Sequence, residues 1–356
     1  MHQPTYVERL LSDQTGAWSA PLRMALSACS MAYGIAVAAR NRRFDRPAAA
    51  IRIPLPVISV GNITAGGTGK TPMVIHIVER LIAMGAHPAV VARGYKARRG
   101  EPNDEELLIR SRCPNVAYLA DPNRVRAARI AIERGAGVVV LDDGFQHRRI
   151  ARDLDIVLID STRPFGNERL LPRGLLREPL ESLHRASAIV LTRCDQADPR
   201  SLDDIASECR KFAPTAPMIR CRHRVIGVER MDGTSVDGAL DGSLRCSRVV
   251  LFGAIARPAS FIETARTLGV EFVGSKWWPD HHHYHQKNIH DILIPGRMPR
   301  FDFAITTEKD AVKLATIPGY DPTRILVIKV RIDFHDDGVT IFDRLLTDAV
   351  ARSSPK

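Results

Sequence analysis

Short apolar runs alternate with amphipathic stretches along most of the chain. The runs before residue 200 predict strands at 57–60, 89–92, 138–141, 156–159 and 188–191. Apolar side chains three and four residues apart predict helices at 72–84 and 124–134, and a glycine follows each helix. This alternation predicts an α/β fold in which helices cover both faces of a parallel sheet.

A smaller C-terminal α/β domain is predicted after a change in composition. Residues 213–245 are rich in Pro, Gly, Asp and Ser, which is typical of a domain boundary. Beyond them the pattern predicts a strand at 249–252, a helix at 258–268, a strand near 303–306, a helix at 310–314 and a strand at 325–330. The predicted organisation is an N-terminal segment (1–46), a core domain (47–212), a linker region (213–245) and a C-terminal domain (246–356).

The N-terminal segment contains an uncharged and mostly apolar stretch at residues 24–39. Arg23 precedes the stretch, and four arginines follow it between residues 40 and 46. A helix of sixteen residues spans about 24 Å, less than the ~30 Å hydrocarbon core of a bilayer. Two interpretations fit: a helix in the membrane interface with arginines at the headgroups, or a helix buried against the core domain.

Composition narrows the class of partner. With 51 Lys and Arg against 40 Asp and Glu, the net charge is +11. That charge favours a polyanionic partner: nucleic acid, nucleotide or anionic membrane. The six cysteines include no Cys-x-x-Cys pair, so neither a disulfide framework nor a zinc site is indicated, and a reducing interior accounts for them.

The most specific motif lies between the first predicted strand and the first predicted helix. There a glycine-rich loop leads into a helix that opens on Lys70-Thr71-Pro72. Backbone N–H groups of such a loop bind phosphate oxygens, the lysine reaches the terminal phosphates, and the threonine hydroxyl ligates Mg²⁺. The spacing departs from Gly-x-x-x-x-Gly-Lys-Thr, because Thr64 stands at the first glycine position. The predicted phosphate-binding residues are Thr64, Ala65, Gly66, Gly67, Thr68, Gly69, Lys70 and Thr71.

Two carboxylates complete the nucleotide hypothesis. Asp142 and Asp143 directly follow an apolar strand, where a phosphate-binding site needs a carboxylate to hold Mg²⁺. We therefore predict metal ligation by Thr71, Asp142 and Asp143. The next residues, 146–149, read Gln-His-Arg-Arg and either bind substrate phosphate or form a solvated basic turn.

Three further clusters leave alternatives open. The acidic residues at 103–106 form a solvated helix start or hold a general base for a hydroxyl nucleophile. The histidine-rich segment 279–285 suggests a metal site, an Asp/His pair or a phosphate contact. At 306–310 the sequence Thr-Thr-Glu-Lys-Asp is typical of helix capping, and its glutamate is able to neutralise a nearby cation.

Taken in order, these motifs closely resemble one family, tetraacyldisaccharide 4′-kinase, the lipid A 4′-kinase of Gram-negative bacteria. The resemblance runs from about residue 18 to residue 330. It rests on residues 60–64, 66–72, 93–95, 104–105, 142–147, 152–153, 166–167, 171–174, 177–179, 252–255, 279–282 and 307–313.

The resemblance implies a P-loop NTPase-like core and transfer of the γ-phosphate of ATP to the 4′-hydroxyl of tetraacyldisaccharide 1-phosphate. It implies ATP and Mg²⁺ as cofactors and a lipid disaccharide as substrate, with neither nucleic acid nor an obligate protein partner. The N-terminal helix is then expected to rest on the cytoplasmic face of the inner membrane.

The resemblance also implies residue roles. Asp104 resembles the base that takes the 4′-hydroxyl proton, and His281 resembles its partner, with Asp280 beside it. The substrate-binding residues expected are Arg93, Tyr95, Gln146, His147, Asn167, Arg177 and Glu178. Two departures occur: the family usually reads Gly-Asp-Glu-Pro at 103–106, where this chain has Asn-Asp-Glu-Glu, and it usually has Phe at the position of Trp278.

Overall fold

The computed structural model describes residues 16, 19–46, 49–94, 101–294 and 296–352. The chain divides into two compact units. Unit 1 comprises Met1–Arg93, Val116–Arg222 and Phe334–Lys356, and unit 2 comprises Gly94–Asn115 and His223–Asp333. Because each unit is built from separate chain segments, long-range packing rather than chain order defines both.

The sheet of unit 1 has the strand order β3-β2-β4-β1-β5-β6-β7. Its strands are β1 (Val57–Asn62), β2 (Pro88–Ala92), β3 (Ala117–Ala120), β4 (Val138–Asp142), β5 (Leu154–Asp160), β6 (Ala188–Thr192) and β7 (Met218–Arg230), the last of which continues into unit 2. Every pair of neighbours is parallel. All residues of β1, β2, β4, β5 and β6 are buried, which explains why these strands are predominantly apolar.

Unit 2 has its own parallel strands, in the order β11-β10-β8-β9. They are β8 (Arg248–Gly253), β9 (Glu271–Trp277), β10 (Phe303–Thr307) and β11 (Ile325–Phe334). One face packs a core that includes Leu251 and Phe261, and the other packs a core that includes Phe252 and Ile289.

The helices alternate with these strands. In chain order they are α1 (Ala20–Phe44), α2 (Lys70–Ala83), α3 (Asp104–Arg112), α4 (Arg124–Glu133), α5 (Pro199–Phe212), α6 (Pro258–Arg266), α7 (Gln286–Leu293), α8 (Glu308–Leu314) and α9 (Gly338–Arg352). In unit 1, α4 packs into a core with β1, β2 and β4, and α2 contacts the same three strands with its own buried row of Met73, Ile77 and Leu81. The predicted α/β fold with a parallel sheet is confirmed.

The domain organisation differs from the sequence prediction at two places. The stretch 213–245, predicted as a linker, carries strand β7, whose charged residues alternate with apolar ones and so conceal it. The C-terminal helix α9 belongs to unit 1, where Phe342 packs against Phe334 at 4.7 Å and His76 at 5.7 Å between ring centroids. Arg80 and Asp343 form an ion pair there.

Helix α1 is longer than the uncharged stretch at 24–39 from which it was predicted. Its 25 residues extend about 37 Å, and among the described residues it is the one helix long and apolar enough to cross a membrane. Only Val37 is buried, whereas Met24, Met31 and Ile35 are 71–73% exposed. Burial along the whole helix is therefore not its structural role.

Side chains on the other side of α1 attach it to the segment 170–178 of unit 1. Ser30 Oγ donates to the carbonyl of Leu170 at 2.9 Å, and the Tyr33 hydroxyl donates to the carbonyl of Arg177 at 2.8 Å. Helix α1 is therefore attached to unit 1 by polar side chains on one side and exposes apolar side chains on the other.

Candidate functional site

The glycine-rich loop joins the end of β1 to the start of α2. Gly69, with φ of 90°, is the cap residue that turns the chain into the helix at Lys70. Gly66 also has a positive φ, of 115°, and both conformations favour glycine. The Ala65 N–H donates to the Leu175 carbonyl at 2.7 Å. The loop therefore has the fixed backbone that phosphate binding requires.

A second contact holds the far side of the loop. The Thr192 hydroxyl, at the end of β6, donates to the Thr68 carbonyl at 3.1 Å. At the near side, a Cβ added to Gly61 would lie 2.5 Å from Cβ of Phe145, so β1 packs directly against the segment after β4. Thr64 is itself buried and pairs with Leu176 in an isolated bridge, so its side chain is part of the scaffold of the loop.

Lys70 approaches the carboxylate of Asp143, the residue directly after β4. Its Nζ is 3.6 Å from Oδ1 of Asp143 and donates to Oδ1 of Asn62 at 3.3 Å. Arg177 donates to both oxygens of Asp143, at 2.8 and 3.1 Å. Burial raises the pKa of Asp143, but the charges of Lys70 and Arg177 outweigh burial and bring that pKa well below its usual range. Asp143 is therefore ionised and shared by two cations.

Asp142 lies in a different environment. It is the last residue of β4 and is buried, and its Oδ2 receives no hydrogen bond from the residues that the structure describes. Burial raises its pKa to about 6, against the opposing charge of Lys70. A buried carboxylate oxygen with no protein donor, beside a phosphate-binding loop, fits a Mg²⁺ ion or its coordinated water. Thr71, in the first turn of α2, is half-buried.

Several predicted substrate-binding residues lie on the segment after β4. Gln146 donates through Nε2 to the Asn62 carbonyl at 2.8 Å, at the entrance to the loop. Burial lowers the pKa of His147 to about 4, assisted by the charges of Arg124 and other arginines. Arg93 is exposed and contributes to that positive potential. Tyr95 lies outside the described residues.

Arg177 and Glu178 are adjacent in sequence but point to different partners. Whereas Arg177 contacts Asp143, the fully buried Glu178 accepts from Arg40 at 2.8 Å and from Arg185 at 2.7 Å. Its Oε2 also accepts from Asn41 at 3.0 Å. The carboxylate of Glu178 therefore has its hydrogen-bond partners within the protein. Two of them, Arg40 and Asn41, belong to α1, so Glu178 holds this helix in place.

Asn167, the remaining residue of that set, lies in the short 3₁₀ helix Gly166–Glu168 with φ of 70°. That positive φ suits Asn better than most residues. A backbone role in this turn explains its presence, and its substrate contact stays a prediction.

Unit 2 brings together the predicted catalytic residues. Asp104 begins α3, whose N-cap Asn103 accepts from the Glu106 N–H at 2.8 Å. Oδ1 of Asp104 lies 2.9 Å from Nδ1 of His281. The backbone N–H of His281, a residue with φ of 66°, donates to Oδ1 of Asp280 at 3.0 Å. The acidic cluster is thus both a capped helix start and part of an Asp–His pair.

Among the histidines, the structure distinguishes His281 from its neighbours. His282 stacks on Trp278 with 5.6 Å between ring centroids, and its Nε2 lies 3.3 Å from Oδ1 of Asn288. His285 is the N-cap residue of α7, and His283 is exposed. It is therefore His281 that faces Asp104.

Two lysines of α8, which the sequence analysis did not single out, complete the cluster. Nζ of Lys309 lies 2.9 Å from Oδ1 of Asp280 and 3.3 Å from Oδ2 of Asp104. Nζ of Lys313 lies 2.8 Å from Oδ1 of Asp310 and 3.8 Å from Oδ2 of Asp104. The i, i+4 spacing of the two lysines on a predicted helix was the available signal, because it places both on one face.

The capping interpretation of 306–310 is confirmed alongside this role. The Thr307 hydroxyl caps α8 by accepting from the Asp310 N–H at 3.1 Å. Glu308 pairs with Arg112 at 2.8 Å, so it neutralises a nearby cation, as the sequence allowed. Capping therefore accounts for Thr307, and the lysine ammonium groups remain available for Asp104.

The electrostatics of Asp104 follow from these neighbours. Burial raises its pKa, but the hydrogen bond with His281 and the charges of Lys309 and Lys313 outweigh burial and hold that pKa well below the usual range. Asp104, Asp280 and His281 are close enough to ligate a metal ion. However, the Lys309 ammonium already contacts both carboxylates, so this cluster contains its own cation.

A parallel α/β sheet, a glycine-rich loop, a lysine at the helix start and a strand-end carboxylate define a nucleotide-binding protein of the P-loop class. Comparison with known proteins identifies the family. The family described as LpxK: Tetraacyldisaccharide-1-P 4′-kinase matches residues 22–350, and the chain belongs to this family.

Individual relatives agree. The chain is 40% identical over 314 residues to the tetraacyldisaccharide 4′-kinase of Anaeromyxobacter sp. (strain Fw109-5), with 83% of each chain covered. It is 36% identical over 336 residues to that of Syntrophus aciditrophicus (strain SB), covering 88% of this chain and 90% of the relative.

A solved structure supports the same conclusion. The crystal structure of LpxK from Aquifex aeolicus in complex with ATP matches with a TM-score of 0.69 and 26% identity, over 92% of this chain and 99% of that chain. The predicted function, an ATP-dependent tetraacyldisaccharide 4′-kinase, is confirmed by this family membership.

Proposed function

We propose that unit 1 holds ATP with Mg²⁺ and that Asp104 of unit 2 accepts the proton of the substrate's 4′-hydroxyl during transfer. The sugar oxygen forms a bond to the γ-phosphorus, and the bond from that phosphorus to the β–γ bridging oxygen breaks, releasing ADP. The single observation that carries the proposal is the ionised, buried carboxylate of Asp104, fixed by His281 at 2.9 Å.

On the nucleotide side, N–H groups of Thr64 and of residues 66–71 bind phosphate oxygens, and Lys70 neutralises the terminal phosphate. The Ala65 N–H instead holds the loop through the Leu175 carbonyl. Thr71, Asp142 and Asp143 would hold Mg²⁺, which when bound neutralises charge on the β- and γ-phosphate oxygens. Asp142 is the better prepared of the two carboxylates, because Asp143 is already paired with Lys70 and Arg177. Arg177 thus sets the position of Asp143 as well as lining the loop.

On the acceptor side, the low pKa of Asp104 makes it a weak base, which suits this reaction. The transition state of phosphoryl transfer is loose, so positioning of the hydroxyl matters more than full removal of its proton. Oδ1 of Asp104 is hydrogen-bonded to His281, while Oδ2 receives no hydrogen bond from the described part of the chain. That oxygen has a lone pair available for the 4′-hydroxyl.

We assign the 1-phosphate of the substrate to the basic segment after β4. Burial and the charges of arginines 124, 152, 149 and 93 together lower the pKa of His147, so four guanidinium groups contribute positive potential at this segment. An anion is the ligand that such a potential favours. Gln146 lies beside this segment, while contacts of Tyr95 and Asn167 with the substrate stay predictions.

We further propose that α1 lies in the cytoplasmic-side interface of the inner membrane. Its exposed apolar residues fit the acyl region, and Arg42 and Arg43 at its end are exposed and fit anionic headgroups. The anchors from Ser30, Tyr33 and Arg40 tie one side of the helix to unit 1. An attached helix of this kind lies along a membrane rather than across it.

Transfer is tested with γ-labelled ATP and tetraacyldisaccharide 1-phosphate in detergent. We expect label in the lipid product, and a loss of about 100- to 10,000-fold in kcat for Asp104→Asn with an unchanged KM for ATP. Glu106→Gln makes the same change at a surface ion pair of α3 and serves as the control. Normal transfer by Asp104→Asn would show that the base is a different group.

A further inference from the structure

The proposed reaction uses Asp104 and His281 but leaves unexplained why α8 directs two ammonium groups at the same carboxylate. Lys309 and Lys313 approach Oδ2 of Asp104 to 3.3 and 3.8 Å, on the oxygen opposite His281. The side chain of Lys309 is only 20% exposed and that of Lys313 only 12%, so neither is a solvated surface lysine.

We propose that Lys309 is a positioning residue for phosphoryl transfer: its ammonium group holds Asp104 ionised and fixes the direction of Oδ2, with Lys313 as a second support. This inference rests on the proposed role of Asp104 as the base. Lys309 also holds Asp280 at 2.9 Å, and Asp280 in turn binds the backbone of His281. One ammonium group therefore orients both members of the Asp104–His281 pair.

The charges of the cluster favour positioning over phosphate binding. The two lysines face three carboxylates, those of Asp104, Asp280 and Asp310. Each ammonium group is within 4 Å of two of these carboxylates, so among the described residues no positive charge is left over for a phosphate. The lysines of this cluster serve the protein's own carboxylates.

The second lysine is held by a buried scaffold. Asp310, which pairs with Lys313, is fully buried and accepts from the Tyr284 hydroxyl at 3.0 Å and the Ala254 N–H at 3.1 Å. Burial together with the nearby charge of Asp310 raises the pKa of Tyr284, so this hydroxyl stays a donor. The scaffold fixes Lys313 without fixing Lys309, which leaves Lys309 as the group that links Asp104 to Asp280.

The titratable and charged groups that face Asp104 are His281, Lys309 and Lys313, with Asp280 and Glu105 close to Lys309. Removing one of the two ammonium charges should raise the pKa of Asp104 by about 1 to 3 pH units, the usual effect of an opposite charge at this distance. The change is measured by ¹³C NMR titration of the labelled Asp104 carboxyl carbon in Lys309→Gln. This readout does not depend on activity.

Kinetics give the second readout. Lys309→Gln should lower kcat about 10- to 100-fold with an unchanged KM for ATP, because a carboxylate without its support is displaced from the hydroxyl. Lys309→Arg keeps the charge and should restore most of kcat and the low carboxyl pKa. Lys329→Gln removes a partly buried lysine paired with Glu229 in the same unit, and should change neither.

The double variant Asp104→Asn/Lys309→Gln separates positioning from general destabilisation. If Lys309 acts through Asp104, the double variant is no slower than Asp104→Asn alone, whereas losses that multiply would overturn the proposal. An unchanged Asp104 titration in Lys309→Gln would also overturn it. If Lys309→Gln does not fold, Lys313→Gln removes the other ammonium charge and gives the titration test, with Lys309→Arg as the variant that keeps the charge. Full activity of Asp104→Asn would instead refute the base assignment and leave the titration result standing.

Discussion

Glu178→Ala should destabilise unit 1 because it removes the carboxylate that holds α1. The Glu178 side chain is fully buried, and its partner Arg185 is 9% exposed and lies with its guanidinium carbon 4.1 Å from the centre of the Phe145 ring. Burial lowers the pKa of Arg185, and the nearby charge of Glu178 opposes this. Without Glu178 a buried guanidinium loses its carboxylate partner.

The size of the effect follows from the exposure of each partner. Removing one member of a buried ion pair costs about 3 to 5 kcal/mol, which applies to Arg185. The pair with Arg40, which is 37% exposed, contributes about 0 to 1 kcal/mol because water screens it. We therefore expect a loss of about 4 kcal/mol in the free energy of unfolding, or roughly 8 to 16 °C in Tm.

Thermal unfolding followed by circular dichroism measures this loss. Glu181→Ala, an exposed position in the 3₁₀ helix Leu180–Arg185, is the matched control and should leave Tm unchanged. A Tm of Glu178→Ala within 2 °C of the parent would refute the anchoring role. If the KM for the lipid rose at the same time, the substrate contact expected from the family resemblance would be the better explanation.

Three further predictions concern the loop, the pH response and α1. Lys70→Met should lower kcat about 100- to 1,000-fold in the transfer assay, because a preorganised charge on the phosphates is lost. His147 is neutral when folded above pH 4 but takes up a proton below about pH 6.5 when unfolded. Its contribution to stability is therefore present above pH 6.5 and is lost as pH falls to 4. In denaturant titrations, the free energy of unfolding of His147→Gln should fall by about 1 to 2 kcal/mol less than that of the parent between these two pH values. Met31→Glu/Ile35→Glu should weaken flotation with anionic vesicles about 100-fold or more, with Tm unchanged.

Controls and contradicting outcomes accompany these predictions. Lys211→Ala removes an exposed lysine paired with Glu208, and a loss of transfer equal to that of Lys70→Met would contradict the role of the loop lysine. The same pH dependence of unfolding in His147→Gln and in the parent would contradict the pH prediction. Met84→Glu, at a residue 40% exposed, should leave vesicle binding intact; equal losses there would mean that α1 is not the membrane contact.

The buried strands were predictable from the sequence because both of their faces are covered. β4 and β6, for example, are continuous apolar runs, and the observed strands differ from the predicted ones by a single residue at the carboxyl end. β7 was missed because only three of its residues are buried and arginines occupy its exposed positions, so it has no continuous apolar run. The return of α9 to unit 1 depends on contacts with His76 and Phe334 that no local pattern encodes.

The candidate site was likewise predictable only where local sequence defines it. The loop at 64–71 and the carboxylates after β4 were found because local spacing defines them. Asp104 and His281 are 177 residues apart, so only the family resemblance joined them before the structure did. Lys309 was overlooked because the residues around it serve equally well as a helix cap, and the cap is real.

Asp143 gives the phosphate loop an internal counter-ion. Its carboxylate lies 3.6 Å from the Lys70 ammonium, the group that the terminal phosphates of a nucleotide approach. A phosphate arriving there competes with a resident anion, so Lys70 exchanges one negative partner for another instead of acquiring its first. Part of the attraction between lysine and phosphate is offset by this exchange. The net gain from the lysine–phosphate contact is therefore smaller than it would be if the lysine had no carboxylate beside it.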